Sequence, residues 1–174
     1  AYPRGSEWRL WDLHIHTPAS FHWEGVRFIP GNDVHNNGII DDLIVALNEA
    51  EPQVFAFMDY FTFEGWFALK RRLQDPAAPK LEKTVFPGIE LRLSAPMRGR
   101  LNAHVVFSDK IQDQHLRDFL SAQKLELIDR PLSDAALADY ARRASSEKLA
   151  HHGFKKTDVE EDEAIALQAG YTIG

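Results

Sequence analysis

The sequence predicts an α/β fold, built on a parallel sheet or barrel. Short apolar runs alternate with longer amphipathic stretches, the order that lays helices against a parallel sheet. The runs are apolar throughout rather than alternating, as in strands buried on both faces. The chain has 174 residues, 44% hydrophobic and 26% charged, enough for one domain, residues 1–174, with a real core.

The elements follow in order. Residues 8–15 (Trp-Arg-Leu-Trp-Asp-Leu-His-Ile) read as a first strand, followed by a polar, Gly- and Pro-containing loop from His16 to about Asn37. Residues 39–50 put Ile40, Leu43, Ile44 and Leu47 on one helical face, and Glu51-Pro52 ends that helix because proline bars its continuation. Val54 to Met58 is a strand. Residues 64–74 are helical up to Asp75-Pro76. Thr84–Phe86 and Ile89–Leu93 read as strand around Pro87-Gly88, and Leu101–Phe107 as another. Residues 110–128 and 133–147 look helical, Lys148–His151 a short strand, and 158–169 an acidic helix. In such folds the chemistry sits at the C-terminal ends of the strands.

Composition removes several function classes. There is no cysteine, hence no thiolate nucleophile, zinc finger or disulfide framework, and a cytoplasmic setting fits. No apolar run approaches the roughly 18 residues of a membrane span, and the first residues lack the apolar region of a signal peptide. The net charge of −6 argues against gripping long nucleic acid by general phosphate attraction, unless a local patch or a partner domain does so.

The eight histidines are informative. In Asp12-Leu-His14-Ile-His16, strand periodicity turns His14 and His16 to one side, where two imidazoles can share a metal ion. Asp12 has the same parity and is expected to orient one of them. His22 follows within reach in the loop. Asp59, Glu90, His104 and His151 or His152 each stand near the end of a predicted strand. A metal nest explains all of them together, and it would relieve the cost of burying Glu90 unpaired. His115 is expected on an exposed helix face and His35 in a loop outside the cleft. Lys70-Arg71-Arg72 reads as a solvated helix face, with Lys155-Lys156 a small charged patch. Trp23, Phe28 and Trp66 read as packing residues, with stacking on a base or sugar the alternative for Trp23.

These residues resemble the motifs of the PHP (polymerase and histidinol phosphatase) family. His14-Ile15-His16-Thr17 looks like its first motif, and Ser20-Phe21-His22 fits the loop histidine after it. Met58-Asp59-Tyr60 occupies the place of the Thr-Asp-His motif. Pro87-Gly88-Ile89-Glu90 is similar to the third motif, whose glutamate bridges metals. His104 and His151 fall in order where two more histidine ligands stand, and the likeness spans roughly residues 9–153. Asp59-Tyr60-Phe61-Thr62 and Gly88-Ile89-Glu90-Leu91-Arg92 are most similar to PHP domains attached to SMC/AAA-like ATPases. Two departures stand out. Tyr60 replaces a histidine, and the closing Gly-Ser-Asp-x-His motif does not occur.

The resemblance implies a distorted (β/α)7 barrel, incomplete at the C-terminus here because the chain belongs to a longer protein, or else a partial metal site. It implies a metal-dependent phosphoesterase that clamps a phosphomonoester or phosphodiester between about two or three zinc, manganese or iron ions and activates a bound water. The metal ligands would be His14, His16, His22, Asp59, Glu90, His104 and His151, with His152 the alternative to His151. His22 would act as proton donor if it is not a ligand, and Arg92 would reach the phosphate as a planar fork. The substrate would be a phosphorylated small molecule or a nucleic-acid end, the partner a linked ATPase domain, and no membrane would be involved. Two readings compete. One is a non-catalytic PHP module with a structural or regulatory role. The other is a metal-dependent amidohydrolase-like enzyme, since similar His-x-His motifs open those barrels.

Overall fold

A computed structural model gives the fold of residues 8–93, 96 and 101–174. Four strands form one curled sheet, in chain order: β1 (Trp11–Ile15), β2 (Val54–Tyr60), β3 (Thr84–Leu93) and β4 (Leu101–Val106). β1, β2 and β3 are parallel, and helices make the crossovers: α1 (Asp33–Glu49) after β1 and α2 (Glu64–Arg72) after β2. β4 lies next to β3 at the edge of the sheet, and the link from Leu93 to Leu101 is shorter than the dozen or so residues a parallel crossover needs.

The register of β2 against β3 is regular, from Val54 beside Thr84 to Tyr60 beside Glu90. All of β2 is buried, as its unbroken apolar run requires. β1 is different. Asp12 pairs with Phe55 but Ile15 with Phe57, so one extra residue is inserted in β1 around Leu13-His14. Such a bulge breaks the two-residue period and re-aims side chains.

α1 buries Ile40, Ile44 and Leu47 and begins at Asn32, whose side chain accepts from the His35 amide. α2 is buried along most of its length and is tied to α1 by Arg72, which donates to both Asp41 oxygens at 2.7 and 2.8 Å and to Asp75 at 2.6 Å. Arg72 therefore leaves the solvated face expected of Lys70-Arg71-Arg72.

The described residues divide into two compact units. One holds residues 8–91 and 104–111, the other 92–93, 96, 101–103 and 112–174. The second unit is largely helical. It contains α3 (Asp113–Ala122), a two-residue ladder of β5 (Lys124–Leu125) with β6 (Arg130–Pro131), and four further helices, α4 (Asp134–Arg143), α5 (Ser146–His151), α6 (Lys156–Glu161) and α7 (Glu163–Ile173). Ser133, Ser145 and Asp162 cap α4, α5 and α7 by accepting main-chain N–H bonds that the helices leave free. Ala138, Ala141, Leu149, Val159, Ala166 and Ile173 form its core.

The (β/α)7 barrel is not formed. Six strands occur among the described residues, and only four of them share a sheet. The reason is local. Alternation of strand and helix stops at β3, which leads to β4, and beyond α3 the sequence turns to alanine-rich, well-capped helices. Lys148–His151, expected as a strand, is the body of α5: Ser145 caps it, and Glu-Lys-Leu-Ala favours helix. Ala144-Ser145 also interrupts the helix expected over 133–147.

α4 and α7 meet closely at Gly170, where an added Cβ would lie 2.3 Å from the Leu137 carbonyl oxygen. Gly170→Ala should force the two helices apart and destabilise the fold by about 1–3 kcal/mol, by analogy with overpacked cores. Urea unfolding followed by circular dichroism measures this, and an unchanged midpoint would contradict the close approach.

Candidate metal centre

The site is built where β1, β2 and β3 end. Thr17, the second residue past β1, donates its amide to Asp59 Oδ1 at 2.8 Å and its hydroxyl to Asp59 Oδ2 at 2.6 Å. Both residues are buried, so both carboxylate oxygens of β2 serve to moor the loop after β1. Gly65 permits the arrangement: a Cβ there would stand 2.1 Å from Thr17 Oγ1 and 2.7 Å from Asp59 Oδ2. The moored loop then folds on itself. Ser20 N donates to Thr17 O, Ser20 Oγ lies 3.3 Å from His16 Nδ1, and the His22 amide donates to Ser20 Oγ. His16 Nδ1 is also 3.8 Å from Asp59 Oδ1.

Glu90, on β3, is only 2% exposed. Its neighbour in the sheet is Tyr60, whose hydroxyl donates to Oε1 at 2.6 Å. His14 Nε2 lies 3.1 Å from Oε2, and His104 Nε2 3.6 Å from Oε1. Burial is the largest single influence on this carboxyl and pushes its pKa up. The Tyr60 hydrogen bond and the His14 and His104 imidazoles together outweigh it, holding the group below its ordinary value.

The rings close around this carboxylate. His14 sits 4.3 Å from His104 and 5.2 Å from His16, centroid to centroid. His16 stacks on Tyr60 at 5.7 Å, and His22 packs 4.9 Å from the same phenol. Phe61, directly after Tyr60, has φ 59°, a left-handed conformation costing an aromatic residue about 1–3 kcal/mol and typical of functional sites. Its amide donates to the Glu90 carbonyl.

His14, His16 and Glu90 each offer a ligand atom, and the three atoms lie within 4.8 Å of one another. Two imidazoles and a carboxylate are the donor set of several catalytic zinc and iron sites, which keep further positions open. The residues present therefore fit a divalent cation. His14 is 46% exposed, so the group is reachable from solvent.

The other candidates fall differently. His104 touches both Glu90 and His14. His22 is exposed beside Tyr60. Asp59 is engaged by Thr17. Asp12, expected to orient an imidazole, instead accepts from the His14 main-chain amide at 3.1 Å, because the bulge breaks the parity that linked their side chains. Arg92 Nη1 donates to the carbonyls of Tyr171, Thr172 and Gly174, a cation at the C-terminal end of α7. His151 and His152 end α5 in the second unit, where strand parity does not apply. His115 is exposed on α3 as expected. His35 lies in the first turn of α1 rather than in a loop.

Sequence reasoning missed what Thr17 and Tyr60 do. The signal for Tyr60 was available: aligning Val54 with Thr84 and counting along two parallel strands brings Tyr60 level with Glu90. Compared with known proteins, the chain matches no family model, and no curated protein or solved structure matches it significantly.

Tyr60→Phe should cost about 1.5–3 kcal/mol at neutral pH, the usual worth of a hydrogen bond to a charged group. The sign with pH follows from the depressed carboxyl. Its contribution is present above the unfolded-state value and is lost as pH falls through the lower folded value. The gap between wild type and variant should therefore be widest near neutral pH and narrow as pH falls through the folded value of Glu90. Urea titrations between neutral pH and about 3 test this, and superimposable curves would show that Tyr60 does not hold Glu90.

Proposed function

We propose that the chain is a metal-dependent phosphoesterase of the PHP type, hydrolysing a phosphomonoester or phosphodiester such as a nucleotide or a nucleic-acid end. The observation that carries this reading is the convergence of His14, His16 and Glu90, from the ends of two separate strands, with ligand atoms within 4.8 Å. Zinc, manganese or iron suits such donors. A cation bound there supplies a hydroxide nucleophile near neutral pH and neutralises charge on the phosphoryl oxygens.

The protein's own groups have distinct tasks in this scheme. Tyr60 holds Glu90 Oε1 and leaves Oε2 facing His14. Ser20 sets the His16 ring, and Asp59 with Thr17 keeps the whole loop from drifting. His22, exposed at the rim, protonates the leaving oxygen. His104 flanks Glu90 as a further ligand or hydrogen-bond partner.

The partner that suits this role is a linked ATPase domain, and the cysteine-free composition accords with a cytoplasmic setting. Among the described residues no helix is long and apolar enough to cross a membrane.

One feature favours a second reading, a non-catalytic module with a structural role. Tyr60 occupies the Glu90 oxygen that a second ion would use.

Calorimetric titration of chelator-treated protein with zinc or manganese, followed by assays on p-nitrophenyl phosphate and its diester, separates the two. Saturable uptake is expected, with hydrolysis falling about 100-fold or more in His14→Ala and Glu90→Ala, as when a main source of transition-state charge stabilisation is removed. Uptake without hydrolysis would support the structural module. Hydrolysis that persists in both variants would sink the metal mechanism.

A further inference from the structure

Beside the histidine cluster lies a second feature that the phosphoesterase reading leaves unused. A cleft of about 650 Å³ opens between the loop after β1 and helix α1, within the size range of small-molecule sites. Pro18, Trp23 and Val26 form its loop wall, while Ile39 and Leu43 of α1 line the opposite side. The stretch from His16 to Trp23 thus borders two sites at once. His22 faces the Tyr60 phenol, and the next residue, Trp23, faces the cleft.

Trp23 is held as a fixed plate. Its Nε1 donates to the Val26 carbonyl at 3.1 Å. Gly25 packs against the ring, since a Cβ there would be 2.7 Å from Nε1. Arg27 donates to the carbonyls of Phe21 and Trp23 at 2.7 and 2.8 Å, and His35 Nε2 in turn bonds the Arg27 carbonyl at 3.2 Å. The indole N–H is therefore spent, and what remains to offer is an aromatic face. Val26 and Val34 stand 64% and 87% exposed at the cleft, apolar surface that a flat ligand would cover.

The α1 wall supplies two further marks of a ligand. Gly38 lies inside the helix, where glycine is unfavourable, yet nothing comes within 4 Å of a Cβ built on it. Internal packing does not demand glycine there; it leaves the backbone open to close approach from the cleft. One turn further on, Asp42 lines the cleft, and among the described residues no side chain pairs with it. An ionised carboxylate only accepts hydrogen bonds. It repels a phosphate and welcomes N–H donors.

We propose that this cleft takes the base of a nucleotide, stacked on Trp23, with Asp42 accepting an exocyclic amino N–H from the base edge. The phosphate then extends along the shared loop toward His16 and His22. Base binding stands on the cleft alone; the placing of the phosphate rests on the phosphoesterase reading.

The test uses the chain without added metal and nucleosides without phosphate, titrated by NMR. Adenosine, guanosine and cytidine, which carry amino groups, should bind more tightly than uridine. Trp23→Ala should weaken binding about fivefold or more, the usual loss when base stacking is removed. Asp42→Asn should erase the preference over uridine. Gly38→Leu should abolish binding while raising or keeping the thermal midpoint, which guards against misfolding as the cause. Comparing mononucleotides with short single-stranded oligonucleotides then tells a free nucleotide from a strand end. Absence of nucleoside binding to the folded wild type, or binding equal in all three variants, overturns the proposal. Nucleoside binding without any phosphate hydrolysis keeps the base site and rejects the phosphoesterase reading; hydrolysis without nucleoside binding does the reverse.

Discussion

A carboxylate buried at the end of β3 sets the terms for everything around it. Glu90 is nearly inaccessible, and an ionised group in that position is tolerated only with partners. Its partners include the Tyr60 hydroxyl and the His14 and His104 imidazoles. Each comes from a different strand, so the same requirement that keeps Glu90 charged also draws the ends of β1, β2 and β4 together. His14, His16 and Glu90 in this cluster could hold a cation, and His14 leaves the group open to solvent.

The loop after β1 is the second constraint. A loop of polar residues would ordinarily be mobile, but the Thr17–Asp59 pair buries its first turn, and Gly65 lets the first turn of α2 close over the pair. Further along, Arg27 and Trp23 bond the loop to itself. Rigidity on both segments allows one loop to present imidazoles at one place and an indole face at another. Pre-organisation of this sort lowers the ordering cost of binding.

Position in the chain explains the contrast between the two units. β1 and β2 are each followed by a helix that carries the chain back across the parallel sheet, whereas β3 passes straight to β4. After β4, short helices with Ser and Asp caps follow one another and bury mainly alanine, leucine and valine against α7. Arg92, expected at a phosphate, serves this second unit by bonding the last carbonyls of α7. Its guanidinium is matched to carbonyl oxygens at a helix end as well as to phosphate, and strand parity with Glu90 did not distinguish the two.

The first three strands, their parallel order and the two helices between them were legible in the sequence, because apolar runs, Pro52, Pro76 and the helical periodicity of Ile40, Ile44 and Leu47 are local facts. So was the grouping of His14, His16 and Glu90 at strand ends. What the sequence did not disclose depends on pairing between distant segments. The bulge that turns Asp12 from an imidazole to a main-chain amide exists only in the register of β1 against β2. The hydroxyl of Tyr60 matters only because it stands beside Glu90. The fate of Lys148–His151 was decided by the cap at Ser145 and a helical core, which overrode a short apolar run too weak to fix a strand. Residue chemistry and period set the elements; register and burial, which no single segment contains, set the site.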